Sequence, residues 1–220
     1  FTFENAIEQL TTNITRDHNR ASVILWSVAN ETPRSPERLE FLSKMAQHAK
    51  RLDRTRLLTA ALEVSAEKDE PYLLKTDDPL GAYLDVYGLN EYLGWYQGSP
   101  ELCDSITWEA TLDKPLIMSE FGGGALQGKH GAKDERWTEE YQEYLYEKQT
   151  AMFERIDFLR GTTPWILVDF RSPKRPLANI QDYWNRKGLV APDGQKKKAF
   201  FVMKRFYDGI DEKYDMMSNQ

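Results

Sequence analysis

Two short segments of this 220-residue chain each place a glutamate at the end of an apolar run. Glu31 ends Trp26-Ser-Val-Ala-Asn-Glu31, and Glu120 lies within Met118-Ser-Glu-Phe-Gly122, 89 positions further on (120 − 31). At roughly 30 residues per strand–helix unit, that distance is about three units, so both carboxylates would lie at the same mouth of a parallel barrel. Two carboxylates that face one cavity can cleave a glycosidic bond, one as proton donor and the other as nucleophile.

The neighbours of the two glutamates suit these different steps. A general acid needs a raised pKa, which burial and a nearby negative charge supply, and Asn30 beside Glu31 could bind a sugar hydroxyl. Glu120 precedes Phe121 and three glycines, which would let backbone and sugar approach a nucleophilic carboxylate. Simpler interpretations stay open: Glu31 as a cap at a strand–helix turn, or Glu120 as an incidental acid in a glycine-rich turn.

Aromatic and amide side chains lie near the same predicted strand ends. Asn90, Tyr92 and Tyr96 occur together in one segment and supply hydrogen-bonding and stacking groups. The phenol of Tyr92 could hold the nucleophile, and the ring of Trp165 could form the floor of a sugar site. Core packing is the ordinary alternative for any one of these rings.

A further pair of polar residues, Asn185 and Lys187, lies in a predicted loop after the last strand. An amide and a cation side by side can bind a carboxylate on a substrate. An ordinary polar turn fits the same residues, so the pair alone does not define a site.

Composition narrows the classes of partner. The net charge of −6, from 29 basic and 35 acidic residues, argues against nucleic acid and anionic membranes. No apolar run approaches the ~20 residues that cross a bilayer. The single Cys103 excludes an internal disulfide, and no metal-binding or nucleotide-binding motif is present. We therefore predict a carbohydrate partner and no metal or other cofactor. Self-association stays open, as does the choice between cytoplasm and periplasm, because no leader is visible at Phe1.

The apolar pattern predicts alternating helices and strands. Helices are predicted over 3–16, from the N-cap Ser35 through 49, and over 107–112, 135–157 and 197–208. Strands are predicted over 23–29, 57–62, 84–89, 116–119 and 163–168. Residues 171–187 are expected to form a long polar loop.

The predicted strand ends recur with a strand–helix rhythm. The first four fall near Glu31, Glu63, Asn90 and Glu120, at spacings of 32, 27 and 30 residues. A closed barrel needs eight strands, and five are predicted. An open five-stranded sheet fits, as do the last five units (strands 4–8) of a (β/α)8 TIM barrel. We prefer the second, because so apolar a first strand would be a liability at a sheet edge.

Two motifs carry a resemblance to a known family. The segment from Arg16 to Glu31 resembles the acid/base signature of glycoside hydrolase family 2, and Pro115-Leu-Ile-Met-Ser-Glu120-Phe-Gly122 resembles its nucleophile signature. The likeness runs over nearly the whole chain and implies a (β/α)8 barrel with retaining chemistry. It assigns Glu31, on the fourth strand, as acid/base and Glu120, on the seventh, as nucleophile. A retaining enzyme needs these carboxyl groups about 5–5.5 Å apart.

Within that family, two elements are similar to those of the β-glucuronidases. The segment 89–96 resembles their sixth strand, and Asn185-x-Lys187 matches an Asn-x-Lys element that recognises the uronic carboxylate. The resemblance implies a retaining exo-β-glycosidase with β-D-glucuronides as best substrate; β-galactosidase and β-galacturonidase activities are the alternatives. Arg20-Ala21 replaces the usual His-Pro, and an arginine that helps hold the uronate in some members has no clear counterpart.

The family's amino-terminal β-sandwich domains and first three barrel strands have no counterpart in these residues. We therefore predict that 1–220 is a single catalytic-barrel domain within a longer multidomain protein. A non-catalytic carbohydrate-binding fragment is the alternative, because five strands leave an apolar edge unpaired.

Overall fold

The computed structural model describes residues 2–218, which form four α-helices and ten strands. The helices are α1 (Thr2–Asp17), α2 (Pro36–Leu52), α3 (Glu139–Phe153) and α4 (Lys198–Ser218). The strands are β1 (Leu25–Asn30), β2 (Leu57–Leu62), β3 (Ser65–Glu67), β4 (Glu70–Lys75), β5 (Tyr87–Glu91), β6 (Thr107–Trp108), β7 (Leu116–Phe121), β8 (Leu159–Thr162), β9 (Phe170–Arg171) and β10 (Trp184–Asn185).

The chain folds into two compact units. The first comprises the residues up to Asn90 together with Thr107–Ser119 and Phe158–Thr162. The second comprises Glu91–Ile106, Glu120–Asp157 and the residues from Thr163 onward. The chain therefore passes from the first unit to the second after Asn90 and again after Ser119, near the ends of β5 and β7.

A five-stranded sheet in the order β1-β2-β5-β7-β8 dominates the first unit. The pairs β1/β2, β2/β5 and β7/β8 are parallel, so β1, β2 and β5 share one direction, and β7 and β8 run parallel to each other. Over residues 2–218 the sheet ends at β1 on one side and β8 on the other and does not close into a barrel. The strand order follows the chain order, as successive strand–helix units require.

Local sequence chemistry explains the first two helices. Ser35 caps α2 by accepting the N–H of Arg38, and Pro36 occupies the first helical position, as predicted. Leu42, Ala46 and Ala49 are buried, so the apolar stripe of α2 faces inward. Helix α1 packs on α2 through Leu10 and Ile14.

In the second unit, α3 packs on α4 and carries a buried aromatic core. Thr138 caps α3 by accepting the N–H of Tyr141. The ring of Phe121, directly after Glu120, contacts Tyr146 and Phe153 at centroid distances of 5.6 and 4.8 Å. This packing fixes the end of β7, because Phe121 itself is fully buried.

The predicted helix over 107–112 is wrong. Thr107–Trp108 instead forms β6, which pairs in parallel with β4 through Leu73 and Leu74. Threonine and tryptophan favour strands over helices, and the pairing with β4 satisfies that preference.

The predicted fifth strand over 163–168 is also wrong. The strand that pairs with β7 is Leu159–Thr162, immediately upstream. Pro164 cannot donate a ladder hydrogen bond, so regular pairing ends before it. The apolar run that follows is partly exposed, with Leu167 at 58% and Val168 at 41%. The strand predicted over 57–62 has those bounds, the other predicted strands and helices occur with shifted ends, and α4 continues to Ser218.

Candidate active site

In the first unit, the ends of β1 and β5 bring Asn30, Glu31 and Asn90 together. The amide nitrogen of Asn90 donates to Asn30 Oδ1 at 3.0 Å and to Glu31 Oε1 at 2.7 Å. Glu31 has a left-handed backbone, with φ of 49°, which turns the chain directly after β1. The Glu31 side chain is exposed, and the Asn90 amide fixes its orientation.

Ser119 sets the orientation of that amide. Its hydroxyl donates to Asn90 Oδ1 at 2.8 Å and to the Leu89 carbonyl at 3.1 Å. Because Asn90 Oδ1 accepts from Ser119, its NH2 group must face Asn30 and Glu31. Gly88 leaves room for this contact, since a Cβ there would lie 2.9 Å from Ser119 Oγ. The Ser119–Asn90–Glu31 relay was not predicted, because it joins strands that are distant in sequence.

In the second unit, Tyr92 holds Glu120. The Tyr92 hydroxyl donates to Glu120 Oε2 at 2.7 Å. Burial and the adjacent Glu120 charge both raise the pKa of Tyr92, so the phenol stays protonated and acts as a donor. Trp137 and Tyr92 pack against a cluster of Trp95, Tyr141 and Leu145, which fixes the position of the phenol.

The glycines after Glu120 serve packing. Gly122 has φ of 110°, and a Cβ there would lie 2.2 Å from the Tyr146 hydroxyl. A side chain at this position would therefore force the buried helix α3 away from the turn. Trp165 lies next to the same turn, and its backbone N–H donates to the Phe121 carbonyl at 3.0 Å. The Trp165 ring is half-buried, and its edge contacts Phe170.

Lys187 joins the same group of residues through two tyrosines. Its ammonium donates to the Tyr96 hydroxyl at 2.5 Å and lies 4.4 and 4.3 Å from the ring centres of Tyr92 and Tyr96. The Asn185 side chain accepts the Lys187 N–H at 3.1 Å, which shapes the turn. Lys187 is buried, and burial lowers its pKa. An anion bound here would therefore meet a desolvated cation.

The structure thus forms two groups from the predicted site residues. Asn30, Glu31 and Asn90 lie together in the first unit. In the second unit, Glu120, Tyr92, Tyr96 and Lys187 form a connected set, and Asn185 and Trp165 lie beside members of that set.

A cavity of about 140 Å³ in the second unit is lined by Tyr96, Asn185 and Lys187 and by three arginines. The arginines, which sequence analysis did not single out as site residues, are Arg136, Arg175 and Arg186. Arg186 lies inside the predicted Asn185–Lys187 element, whereas nothing local marks Arg136 or Arg175.

Glu91, the last residue of β5, is buried, and no salt bridge reaches it from the residues that the structure describes. Burial raises its pKa to about 7, although backbone hydrogen bonds at Leu93 and Tyr92 oppose the shift. Its carboxyl group accepts hydrogen bonds from the backbone of Tyr92 and Leu93.

We expect Glu91→Gln to remove a pH-dependent loss of stability. The pKa of Glu91 rises from 4.5 to about 7 on folding, so the folded protein keeps a proton that the unfolded chain releases between those values. The free energy of unfolding should therefore fall as pH rises through this range, by about 3 kcal/mol at about 1.36 kcal/mol per pKa unit. Urea denaturation between pH 4.5 and 8 should show that the free energy of unfolding of the variant increases relative to that of the parent as pH rises. Glu63→Gln, at the partly exposed residue after β2, is the control: its free energy of unfolding should differ from that of the parent by a constant amount over this pH range. A constant difference for Glu91→Gln would contradict the pKa assignment.

Polar side chains at the carboxyl ends of parallel strands are typical of α/β enzymes. Residues 2–212 match the family model described as "Glycosyl hydrolases family 2, TIM barrel domain". The chain therefore belongs to glycoside hydrolase family 2.

Similar proteins in that family include β-glucuronidases from bacteria and mammals. The chain is 33% identical to the β-glucuronidase of Paenibacillus borealis over 208 residues, which cover 90% of this chain and 33% of that protein. It is 30% identical to the enzyme of Mus musculus over 213 residues, which cover 91% and 31% of the two chains. The chain thus spans about a third of the length of these relatives.

Solved structures of related enzymes share the fold. The β-glucuronidase of Dictyoglomus thermophilum matches with a TM-score of 0.76 at 30% identity, covering 94% of this chain and 35% of that one. A family 2 β-galacturonidase from Eisenbergiella tayi, bound to galacturonate, matches with a TM-score of 0.75 at 25% identity, covering 92% and 36%. None of the helices within residues 2–218 has the length and apolar character needed to span a membrane.

Proposed function

We propose that this chain carries the catalytic residues of a retaining exo-β-glycosidase, with β-D-glucuronides as the preferred substrates. The contact that best supports the proposal is the buried Lys187 ammonium beside Tyr92, whose phenol donates to Glu120. A desolvated cation close to a candidate nucleophile suits a sugar that bears a carboxylate at C5. The names of the similar proteins point to the same class.

In the proposed mechanism, Glu120 attacks the anomeric carbon while Glu31 gives its proton to the leaving glycosidic oxygen. A covalent glycosyl-enzyme forms, and the aglycone leaves as an alcohol. Glu31 then takes a proton from water, which attacks the same carbon and releases Glu120. Two inversions retain the configuration at C1. Asn30 and Asn90 would hold Glu31 and sugar hydroxyls, and Trp165 and Tyr96 would contact the sugar ring.

We further propose that residues 1–220 are a single catalytic domain that supplies the last five strand–helix units, strands 4–8, of a (β/α)8 barrel in a longer protein. The strand order of the sheet and the coverage of about a third of each relative support this proposal. Size-exclusion chromatography and activity of this chain, compared with the full-length protein, test it. Full activity of a monomeric 220-residue chain would contradict it.

β-Galacturonidase activity is the second candidate, because a similar solved structure is bound to galacturonate. Both uronic acids carry the C5 carboxylate and differ in the orientation of the C4 hydroxyl. A neutral galactoside is disfavoured, since it would leave the buried Lys187 without an anion.

Hydrolysis of nitrophenyl glucuronide, galacturonide and galactoside tests the choice of sugar. We expect Lys187→Ala to lower kcat/KM for the glucuronide by roughly 10- to 150-fold, the equivalent of a charged hydrogen bond of about 1.5–3 kcal/mol. Lys174→Ala, in the same loop, should leave kcat/KM unchanged. If Lys187→Ala hydrolyses the glucuronide as fast as the parent, the uronate assignment is wrong.

Tyr92→Phe should slow turnover by a similar factor. The substitution keeps the ring but removes the hydrogen bond to Glu120 Oε2, which spans 2.7 Å. A hydrogen bond to a charged group contributes about 1.5–3 kcal/mol, or roughly 10- to 150-fold in rate. The loss should appear in kcat more than in KM, because the phenol orients the nucleophile.

Tyr144→Phe is the matched control for that variant. Tyr144 also donates to a glutamate, Glu101 Oε1 at 3.0 Å, but on the surface of the second unit. It should leave kcat and KM unchanged. Equal kcat values for the two variants would show that the Tyr92 phenol does not assist Glu120.

A further inference from the structure

The cavity beside Lys187 carries more positive charge than one uronate can balance. Four cationic side chains line it, Arg136, Arg175, Arg186 and Lys187, and no acidic side chain is among its lining residues. We call it the cationic pocket. Its volume of about 140 Å³ is well above the roughly 10–15 Å³ that one water needs. A carboxylate at Lys187 would therefore leave space for a second small group.

Two of the four cations interact with acidic side chains. Arg186 Nη1 lies 3.5 Å from Asp169 Oδ2, and the charge of Glu120 attracts the Lys187 ammonium. Arg136 and Arg175 have no acidic side chain beside them in the lining of the pocket. Arg175 and Lys187 repel each other, and Arg175 also interacts with the Tyr96 hydroxyl. Like charges held close together are costly, and bound anions relieve that cost.

A tryptophan ring holds Arg136 in place. The guanidinium carbon of Arg136 lies 4.1 Å from the ring centre of Trp95. Stacking covers the face of a guanidinium and leaves its N–H groups along the edge, where an oxyanion can bind with two hydrogen bonds. Trp137 packs edge-on against Trp95 at 4.9 Å and has φ of 73°. A bulky residue in the left-handed region is strained, which is often associated with functional sites.

We propose that the cationic pocket binds a second oxyanion of the substrate, in addition to the uronate carboxylate at Lys187. The substrate class is a doubly anionic uronide, which bears either a sulfate ester or a second uronic acid. This inference rests on the proposed function, because Lys187 is there assigned to the first carboxylate. Arg136 and Arg175 are the residues that distinguish two anions from one.

Kinetics on the full-length protein at low ionic strength test the proposal. The substrates are nitrophenyl glucuronide, the same glucuronide with a ring sulfate, and a β-linked diglucuronate with the monoanionic glucuronyl-glucose for comparison. We expect kcat/KM for at least one dianion to exceed that of its monoanionic counterpart at least tenfold. Preference for the sulfated ring or for the diglucuronate identifies the source of the second charge. Equal kcat/KM values for dianions and monoanions would overturn the proposal.

Arginine variants test whether Arg136 and Arg175 bind the second anion or contribute equally to the binding of every substrate. Arg136→Gln and Arg175→Gln should reduce the dianion/monoanion ratio to within twofold of one. Arg171→Gln is the control, because Arg171 also stacks on a tryptophan, Trp184 at 5.4 Å, yet does not line the pocket. It should keep the parental ratio. If Arg136→Gln and Arg175→Gln instead lower kcat/KM for both classes equally, the arginines serve a single carboxylate and the proposal fails.

Binding measurements keep this inference separate from the proposed reaction. Calorimetric titration with glucuronate, sulfated glucuronate and diglucuronate should give a dissociation constant for at least one dianion that is at least tenfold lower than that of glucuronate. This result would stand even if no glycoside were hydrolysed, in which case the proposed function alone would fail. Equal dissociation constants for glucuronate and both dianions would overturn the second anion site whatever the activity.

Discussion

Glu120→Gln should reduce hydrolysis of an aryl β-glucuronide by about 10⁴- to 10⁶-fold, the range expected when a covalent nucleophile is lost. The side chain keeps its size, and its amide oxygen can still accept from Tyr92, so the fold should be preserved. Glutamine cannot attack the anomeric carbon as a carboxylate does. Rates with nitrophenyl glucuronide, together with urea denaturation of the variant, would separate lost chemistry from lost stability.

Glu63→Gln is the control for Glu120→Gln. It makes the same substitution at another glutamate near a strand end, since Glu63 follows β2 as Glu31 follows β1. Its carboxylate lies on the surface, 4.0 Å from Arg34 Nε, and no role in the reaction is proposed for it. Turnover should stay within twofold of the parent. Retention of substantial activity by Glu120→Gln, with Glu63→Gln unchanged, would remove Glu120 from the mechanism.

Added azide distinguishes the two proposed carboxylate roles. In Glu120→Gly, azide can occupy the face vacated by the nucleophile and displace the aglycone in one step, which gives an α-glycosyl azide from a β-substrate. In Glu31→Ala, the glycosyl-enzyme forms first, and azide then attacks from the opposite face to give the β-product. The same anomer from both variants would contradict the assignment.

Local chemistry predicted the parts of the fold that depend on neighbouring residues. The cap at Ser35 and Pro36 defined the start of α2, and the apolar runs located β1, β2 and β7. The fifth strand was displaced because Leu159–Thr162 contains Arg160 and Gly161 and lacks a continuous apolar run. Its pairing with β7 is a tertiary effect that no local pattern records.

The distinction between local motifs and contacts between distant residues also applies to the candidate site. Short motifs identified Glu31, Glu120 and Tyr92, and the hydrogen bond from Tyr92 to Glu120 is present. Ser119 was passed over, since its partner Asn90 lies 29 residues away. Arg136 and Arg175 were also missed. They come from two different loops, and no local motif connects either of them with the cavity beside Lys187.

Lys197→Met should destabilise the second unit by about 3–5 kcal/mol, the cost of leaving a buried charge without its partner. Lys197 and Asp169 are both fully buried, and the ammonium lies 2.8 and 3.0 Å from the two carboxylate oxygens. The same ammonium donates to the carbonyls of Ala125 and Arg186, at 2.7 and 3.1 Å. At about 2–4 °C per kcal/mol for a chain of this size, Tm should fall by about 6–20 °C.

Lys204→Met provides the control, with the same substitution at an exposed site in α4. Lys204 pairs with Asp208 at 2.5 Å on the surface, where such a pair contributes about 0–1 kcal/mol. The double variant Lys197→Met/Asp169→Leu should recover part of the stability lost in Lys197→Met, because it also removes the buried carboxylate, for which Arg186 Nη1 at 3.5 Å is a more distant cation than Lys197. Equal free energies of unfolding for Lys197→Met and Lys204→Met would show that the buried pair is not needed.

The buried pair also connects to the candidate site, which gives the prediction a second readout. Lys197 binds the carbonyl of Arg186, and Asp169 Oδ1 accepts the N–H of Gly188 at 2.8 Å, so the pair holds the residues on both sides of Lys187. At a temperature where Lys197→Met is still folded, KM for a glucuronide should therefore rise more than kcat falls. KM for a neutral galactoside should change less, because that sugar has no carboxylate for Lys187 to bind. Equal changes in KM for both sugars would limit the pair to a structural role.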